Sequence, residues 1–416
     1  MIKTAVLFPG QGAQYPGMGK KLYASSAVVR AVYEEASDGL GMDLQKICFE
    51  GSDADLQQTA LTQPAILATS VASFRYYIGQ EGLPWPHYLA GHSLGEYTAL
   101  CCAGALPLRQ AVRLVHQRGQ FMQEAVQAGE GAMAAINKLS AQKINEICLQ
   151  GNRATLGIAA YNGNGQTVIS GYKNEVEKAI AACEAAGGEA VRLKVSAPFH
   201  TPLMRPAADQ LKEVLHSCTL SPLQCTVIAN ASGLPYANEK EITEGLYQQM
   251  IQPVQWLRTL EYLEQQGVRY FLDAGPRKLL RNQVNSHGLQ GIAYALEENN
   301  DVENCRNAVR ENISAIATPL STAMSIVVCA RNHNTSTTDY DARVVTPFLK
   351  MKQLQDTLEQ AQRLPAVTEI SDTLKELLQV LHYKQTTAAD LQYYHQRYCV
   401  ETGALLACPA LKEMQL

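Results

Sequence analysis

The 416-residue sequence contains no long apolar run, no cluster of basic residues and no C-x-x-C pair. The apolar run near its start, "MIKTAVLFPGQG", is too short for the hydrophobic region of a signal peptide, and no window reaches the length of a membrane span. The eleven cysteines are odd in number and scattered, a usage typical of reduced thiols. These features predict a cytoplasmic protein that does not bind membranes.

An excess of charge of either sign is also lacking. The formal net charge is −4, and residues 1–300 hold 24 basic and 26 acidic side chains against 11 and 13 in residues 301–416. The absence of a basic tail or stripe argues against nucleic acid as a partner. The length and the hydrophobic content of 46% are typical of an ordinary globular protein with two or three domains.

Hydrophobic patterning predicts an α/β protein that carries an inserted subdomain. Strands alternate with helices in the first part of the chain, which favours a parallel sheet. Residues 128–195 have a β-α-β-β-α-β order of ferredoxin-like type. A strand is predicted at 4–8, a strand, elbow and helix at 87–104, strand-then-loop units at 227–233 and 269–276, and short strands within "GAMAAIN", "LGIAAYN", "QTVISGY" and "AVRLKVSAPFH". Further helices are predicted at 21–37, 63–79, 107–126, 345–363, 368–383 and 387–399 and within "SAQKINEICLQ" and "NEVEKAIAACEAAG". The expected domains are 1–127 plus 196–300, 128–195, and 301–416.

The stretch "GHSLGEY" at 91–97 fits the G-x-S-x-G elbow, in which a sharp turn between a strand and a helix exposes a serine. Ser93 follows a predicted strand and precedes a predicted helix, which is the context that this motif requires. A helix N-terminus beside Ser93 would supply N–H groups and partial positive charge to an oxyanion. Ser93 is therefore a candidate nucleophile, and the alternative is a purely structural turn.

A serine nucleophile needs a base, and His200 is the best placed of the nine histidines. It ends "VSAPFH", where a predicted strand breaks at Pro198 into a loop, and the active sites of α/β proteins lie at such sheet edges. The alternative is an ordinary loop histidine in contact with solvent.

Arg118 lies on the apolar stripe of the helix predicted at 107–126, close to Val115, Phe121 and Met122. A guanidinium on an apolar face is very costly unless it is paired. Arg118 therefore either forms a structural ion pair or binds an anionic ligand in bidentate fashion. The loop "PGQGAQ" lacks the pattern of a phosphate-binding loop, but its backbone N–H groups suit an oxyanion hole.

Together these residues resemble the malonyl-CoA:acyl carrier protein transacylases of fatty acid and polyketide synthesis. Seven stretches occur in the order found in that family and cover about residues 1–290: "PGQGAQ" at 9–14, "GHSLGEY" at 91–97, "RGQFMQEA" at 118–125, "YNGNGQTVISG" at 161–171, "SAPFH" at 196–200, "QMIQPVQW" at 249–256 and "DAGPRKLL" at 273–280. The resemblance implies an α/β-hydrolase-like parallel-sheet domain, an inserted ferredoxin-like α+β subdomain and a mostly helical C-terminal extension.

The resemblance also implies roles for single residues. Ser93 would carry the acyl group as an ester, His200 would act as its base, and the backbone carbonyl of Gln249 would orient that histidine. The backbone N–H groups of Gln11 and Leu94 would form the oxyanion hole. The substrate-binding residues would be Arg118 for the malonyl carboxylate, with Met122, Asn162 and Phe199 lining the pocket.

The implied reaction is a ping-pong transfer of malonyl from malonyl-CoA to the phosphopantetheine thiol of an acyl carrier protein, without metal or redox cofactor. The alternative is an acyl hydrolase of the same fold that clears carrier proteins; a third hypothesis is a scaffold whose C-terminal helices bind a synthase. The segment "RVVTPFLKMKQLQDTLE" resembles sequences that follow the transferase in free-standing, trans-acting polyketide synthase acyltransferases. Residues 301–416 are accordingly interpreted as a linker or as a docking element for a synthase or another enzyme.

Overall fold

The computed structural model describes residues 1–125, 129–150, 155–163, 165–195 and 197–412, which form two sheets and a C-terminal group of helices. Of the residues at the expected domain boundaries 127/128 and 195/196, only residue 195 lies within these ranges. The strands are β1 Lys3–Phe8, β2 Tyr88–Gly91, β3 Gly131–Asn137, β4 Leu156–Gly163, β5 Gln166–Tyr172, β6 Glu189–Arg192, β7 Thr226–Ala229, β8 Leu234–Pro235, β9 Val268–Asp273 and β10 Ile292–Ala295.

The larger sheet has the strand order β10-β9-β1-β2-β7-β8, in which every pair is parallel except the antiparallel pair β7–β8. Almost every residue of β1 and all of β2 are buried, as expected for parallel strands covered by helices on both faces. The helices are α1 Lys20–Ser25, α2 Ala27–Leu40, α3 Leu44–Glu50, α4 Thr59–Ile78, α5 Leu94–Cys102, α6 Leu108–Glu124, α7 Ala141–Gln150, α8 Lys173–Ala185, α9 Arg205–His216, α10 Ile242–Ile251, α11 Trp256–Gln265, α12 Leu279–Ser286, α13 Asn299–Glu311, α14 Pro319–Cys329, α15 Thr346–Gln360, α16 Val367–Tyr383, α17 Ala388–Cys399 and α18 Ala404–Ala407.

The smaller sheet is antiparallel and has the order β4-β5-β3-β6. With α7 between β3 and β4 and α8 between β5 and β6, this is the ferredoxin-like arrangement, and the predicted subdomain type is confirmed. The strand predicted from "AVRLKVSAPFH" is shorter than expected. Strand β6 is an exposed edge strand that pairs with β3 and ends at Arg192, and one further hydrogen bond joins the Leu193 N–H to the Met133 carbonyl at 2.9 Å.

Two helices replace the single helix predicted at 21–37. Ser26 is extended, with φ −135° and ψ 128°, and its side-chain oxygen accepts a hydrogen bond from the Val29 N–H. Ser26 therefore caps α2 and interrupts the periodic pattern that predicted a continuous helix.

The C-terminal region has its own hydrophobic core, which begins at Leu320 and includes Met351, Leu377 and Tyr398. Helix α13, in contrast, packs on β10, and its residues belong to the core of the larger domain, which continues to Ile316. The expected boundary at 301 therefore falls inside a helix of the larger domain, and the two cores divide between Ile316 and Leu320.

The segment that joins the two cores, and Gly403 of the C-terminal region, both contact the edge of the large sheet where the parallel strands begin. The Ile2 N–H donates to the Ala315 carbonyl at 2.7 Å, and the Ala317 N–H donates to the Ile2 carbonyl at 2.8 Å. Gly403 packs against the backbone of Pro86, just before β2: a Cβ at this glycine would lie 2.2 Å from the Pro86 carbonyl oxygen. The loops that follow β1, β2, β7 and β9 lie at the other edge. None of the helices in the part of the chain that the structure describes is long and apolar enough to span a bilayer.

Candidate active site

Ser93 lies in the tight turn between β2 and α5. Its φ of 54° and ψ of −108° form a sparsely populated conformation that costs about 1–3 kcal/mol. A Cβ on Gly91 would lie 1.9 Å from the carbonyl carbon of Gly95, and a Cβ on Gly95 would lie 2.0 Å from the carbonyl oxygen of Phe8. The two glycines of the elbow are thus required because the backbones of β1, β2 and α5 approach so closely.

Asn230, the residue after β7, holds this turn from the neighbouring strand. Its Oδ1 accepts a hydrogen bond from the Ser93 N–H at 2.7 Å, and its Nδ2 donates to the Gly91 carbonyl at 2.6 Å. The first contact is partly buried and the second is buried, so one amide stabilises the strained turn on both sides of His92. Asn230 was not among the residues predicted from the sequence. The available signal was a polar residue directly after a buried strand.

His200 contacts both Ser93 and the backbone of Gln249. Its Nε2 lies 2.8 Å from Ser93 Oγ, and its Nδ1 lies 2.7 Å from the Gln249 carbonyl oxygen. Because a carbonyl only accepts, the proton of the neutral ring belongs on Nδ1, which leaves Nε2 free to accept the serine proton. Burial and the nearby Arg118 guanidinium lower the pKa of His200 to about 3. The ring is therefore neutral at physiological pH, as a general base must be.

The backbone N–H groups of Gln11 and Leu94 lie at the same edge of the sheet. Gln11 lines the cleft that contains Ser93, and Leu94 begins α5 directly after the serine. No acceptor within the described residues receives either N–H. The first N–H groups of a helix carry partial positive charge, so the Leu94 N–H is suited to an oxyanion.

Arg118 is completely buried on α6, and its guanidinium contacts neutral groups. Nη1 donates to Gln63 Oε1 at 2.8 Å, and Nη2 donates to Gln249 Oε1 at 3.0 Å and lies 3.4 Å from Ser93 Oγ. The ring of Tyr97 is centred 5.1 Å from the guanidinium carbon. In the described ranges no Asp or Glu forms an ion pair with Arg118, and its buried Nε has no partner. Of the two alternatives for this residue, the contacts favour an anion site over a structural ion pair.

Two further buried polar residues, Gln63 and Glu96, belong to this group, and neither was predicted from the sequence. Glu96 Oε2 accepts a hydrogen bond from Gln249 Nε2 at 2.7 Å, and Oε1 accepts one from the Tyr236 hydroxyl at 2.5 Å. Burial raises the pKa of Glu96 to about 7. The available signal was a carboxylate and an amide on helices whose other residues are mostly small or apolar.

A cleft of about 810 Å³ opens in front of Ser93, between the larger and the smaller sheet. Val168 and Val191 of the smaller sheet contribute to its walls, as do residues of α12. Asn162 and Phe199, two of the residues proposed from the sequence to bind substrate, both line it. The cleft is thus largely apolar with a few polar groups near the serine, which is typical of a site for a small ligand.

Asn162 also connects the two domains, because its Oδ1 lies 2.8 Å from His92 Nε2 and its Nδ2 donates to Gln166 Oε1 at 3.0 Å. Met122 is the expected pocket residue that does not line the cleft. It is buried, and its sulfur lies 3.6 Å from Gln63 Nε2. The Gln63 amide, which contacts both Met122 and Arg118, lies between the sulfur and the guanidinium.

Residues 6–308 match the family described as "Acyl transferase domain". A "Malonyl CoA-acyl carrier protein transacylase" of Bacillus subtilis is 35% identical over 364 residues, which cover 86% of this chain and 91% of the relative. An Escherichia coli K12 protein of the same name is 43% identical over 67% of this chain and 91% of its own length. The chain belongs to the malonyl CoA-acyl carrier protein transacylase family. The family resemblance stated from the sequence is thereby confirmed.

Solved structures of the family agree with this membership. The transacylase from Coxiella burnetii has a TM-score of 0.70 at 37% identity and covers 74% of this chain and 97% of its own length. A malonyl-transacylase solved in complex with its type II PKS acyl-carrier protein has a TM-score of 0.71 at 38% identity, with coverage of 74% and 99%. The predicted fold class is confirmed. The alignment with the Bacillus subtilis relative also extends past residue 308 into the C-terminal region, since it covers 86% of the chain.

Proposed function

We propose that this protein transfers malonyl from malonyl-CoA, through an ester on Ser93, to the phosphopantetheine thiol of an acyl carrier protein. The observation that carries the proposal is the buried Arg118 guanidinium, 3.4 Å from Ser93 Oγ and without an ion-pair partner among the described residues. A guanidinium beside the nucleophile suits an acyl group that ends in a carboxylate, because arginine binds carboxylates in bidentate fashion. The names of the relatives support both the malonyl donor and the carrier-protein acceptor.

In the first half-reaction Ser93 Oγ attacks the thioester carbonyl while Nε2 of His200 takes the hydroxyl proton. The Gln249 carbonyl stabilises the imidazolium that forms, and the N–H groups of Gln11 and Leu94 bind the oxyanion. The C–S bond then breaks, and the CoA thiolate leaves with the proton of His200. The product is a malonyl ester on Ser93.

In the second half-reaction the carrier thiol enters the same cleft and gives its proton to His200 Nε2. The thiolate attacks the ester carbonyl, the C–O bond to Ser93 breaks, and the serine oxygen recovers the proton. Both steps exchange an acyl group between nucleophiles, so the proposed cycle includes no metal or redox cofactor. A buried cation suits malonyl better than the varied neutral chains of a proofreading hydrolase, which therefore stays the less favoured alternative.

The proposal also gives roles to the other residues that the sequence placed in the pocket. Phe199, directly before His200, would limit the size of the substituent on the malonyl carbon, and Asn162 would shape the mouth of the cleft. Met122 would affect the site indirectly, through its contact with the Gln63 amide. A docking role for the C-terminal helices and a cytoplasmic location stay predictions.

The test is to incubate the protein with malonyl-CoA and to measure its intact mass. We expect the mass to increase by one malonyl group, and Ser93→Ala to abolish the increase. Ser170→Ala is a control, since that serine is buried in β5 and its hydroxyl has no hydrogen-bond partner among the described residues. Absence of the ester, or an ester that survives Ser93→Ala, would overturn the proposal. Rapid release of malonate without a thiol acceptor would favour the hydrolase.

A further inference from the structure

Glu96 lies in the same buried group as Arg118 but does not form an ion pair with it. The Gln249 side-chain amide connects the two: its Nε2 donates to Glu96 Oε2 at 2.7 Å, and its Oε1 accepts from Arg118 Nη2 at 3.0 Å. Both charged side chains are fully buried. A carboxylate and a guanidinium thus face each other across one neutral amide.

This arrangement determines the orientation of the Gln249 amide. The amide nitrogen faces two acceptors, the Glu96 carboxylate and the Ser93 carbonyl oxygen, the latter at 2.7 Å. The Ser93 carbonyl can only accept, and Glu96 can only accept when it is ionised, so the NH₂ end of the amide faces both of them. The amide oxygen is consequently directed at Arg118.

The second oxygen of Glu96 is held from another side. The Tyr236 hydroxyl donates to Oε1 at 2.5 Å, and Tyr236 is itself buried. The carboxylate therefore has a hydrogen-bond partner on each oxygen, and neither partner is a cation. The negative charge lies close enough to attract Arg118 without using up the donors of the guanidinium.

We propose that Glu96 is a positioning residue for the carboxylate of the malonyl group, acting on Arg118 through the Gln249 amide. A direct Glu–Arg contact would leave the guanidinium already neutralised and weaken its attraction for a substrate carboxylate. Without a nearby carboxylate, on the other hand, the buried cation would be very costly and poorly placed. The intervening amide meets both requirements, since it holds Nη2 near Ser93 Oγ and leaves Nε unpaired. This inference rests on the proposed function.

The test compares loading of malonyl-CoA with loading of acetyl-CoA, which has no carboxylate, in the full-length protein. In Glu96→Gln the negative charge beside the Gln249 amide is lost and the new side chain can donate as well as accept, so only the Ser93 carbonyl still fixes the orientation of the amide. We expect kcat/KM for malonyl-CoA to fall by about tenfold to a hundredfold, the range for a hydrogen bond to a charged group, mainly through KM. We expect loading of acetyl-CoA to change by less than about threefold.

Asp273→Asn is the matched control. Asp273 is also fully buried, lies at the end of β9 on the same sheet edge, and accepts hydrogen bonds from the backbone of Gly275, Leu280 and Arg281. Its loss should lower the melting temperature and leave the ratio of malonyl to acetyl loading unchanged. Should Glu96→Gln fail to fold, Glu96→Asp retains the charge but is too short to reach Gln249, and it should show the same loss of preference.

The outcomes separate this inference from the proposed function. Wild-type protein that forms no malonyl ester overturns the function itself. Wild-type protein that prefers malonyl, together with Glu96 variants that retain or increase that preference, leaves the function intact and overturns the role of Glu96. An equal fall in loading of both substrates overturns it as well, because that is the result of a purely structural carboxylate.

Discussion

Replacement of Arg118 by alanine is the most informative perturbation of this site. The side chain is fully buried, and the proposed malonyl carboxylate would receive two charge-assisted hydrogen bonds from its guanidinium. Each such bond contributes about 1.5–3 kcal/mol, so Arg118→Ala removes at least about 3 kcal/mol of stabilisation from bound malonyl. At about 1.4 kcal/mol for each factor of ten, kcat/KM for malonyl-CoA should fall by about a hundredfold or more.

The same substitution has a second effect, which does not depend on the substrate. The side-chain oxygens of Gln63 and Gln249 lose their donor, at about 1–3 kcal/mol each if water does not replace it. Removal of the buried charge offsets part of this cost, because the desolvation of Arg118 is no longer required. Loading of acetyl-CoA is changed only by this second effect. The ratio of kcat/KM for malonyl-CoA to kcat/KM for acetyl-CoA therefore isolates the contribution of the contact with the carboxylate.

The assay measures CoA release in single turnover with malonyl-CoA and with acetyl-CoA. Arg109→Ala is a control on the same helix, since Arg109 forms only an exposed ion pair with Asp38 and should leave both rates unchanged. The ratio of malonyl to acetyl loading should decrease strongly in Arg118→Ala and stay constant in Arg109→Ala. An equal decrease with both substrates in Arg118→Ala would refute the assignment and make Arg118 a structural residue.

Three further predictions follow from the fold and the site. Asn230→Ala leaves the Ser93 N–H and the Gly91 carbonyl without partners. Urea denaturation should therefore show a loss of about 2–4 kcal/mol in the free energy of unfolding, and acylation of Ser93 should be slower. Unchanged values would show that the turn at Ser93 is stable without Asn230. A chain that ends at residue 318 should fold and load malonyl. A chain that ends at residue 300 loses α13 from the core of the larger domain and should melt at a lower temperature. Equal melting temperatures of the two chains would refute the division of the cores after Ile316. Because the pKa of His200 is lowered from 6.5 to about 3 in the folded protein, the unfolded chain binds this proton first as the pH falls through that window. The free energy of unfolding should therefore decrease more between pH 7 and pH 5 in the wild type than in His200→Gln, and equal decreases would contradict the lowered pKa.

Local patterns were enough to predict most elements of the fold. Periodic hydrophobic patterns predict the alternating strands and helices and the β-α-β-β-α-β order, and two glycines predict the G-x-S-x-G turn. These signals lie within short stretches of the sequence. The predictions failed where tertiary contacts override periodicity. Ser26 interrupts a helix through its own cap, and α13 joins the main core although the sequence boundary at 301 assigns it to the C-terminal region.

The sequence by itself determined which chemistry is present: a serine on a tight turn, a histidine after a strand, and an arginine on an apolar stripe. It left open whether that arginine forms an ion pair or awaits an anion. Only the tertiary structure shows that no Asp or Glu among the described residues forms an ion pair with it, because its partners come from α4 and α10, at Gln63 and Gln249, and no local pattern encodes their distances. The contributions of Asn230 and Glu96 arise in the same way, from contacts between residues more than a hundred positions apart in the chain.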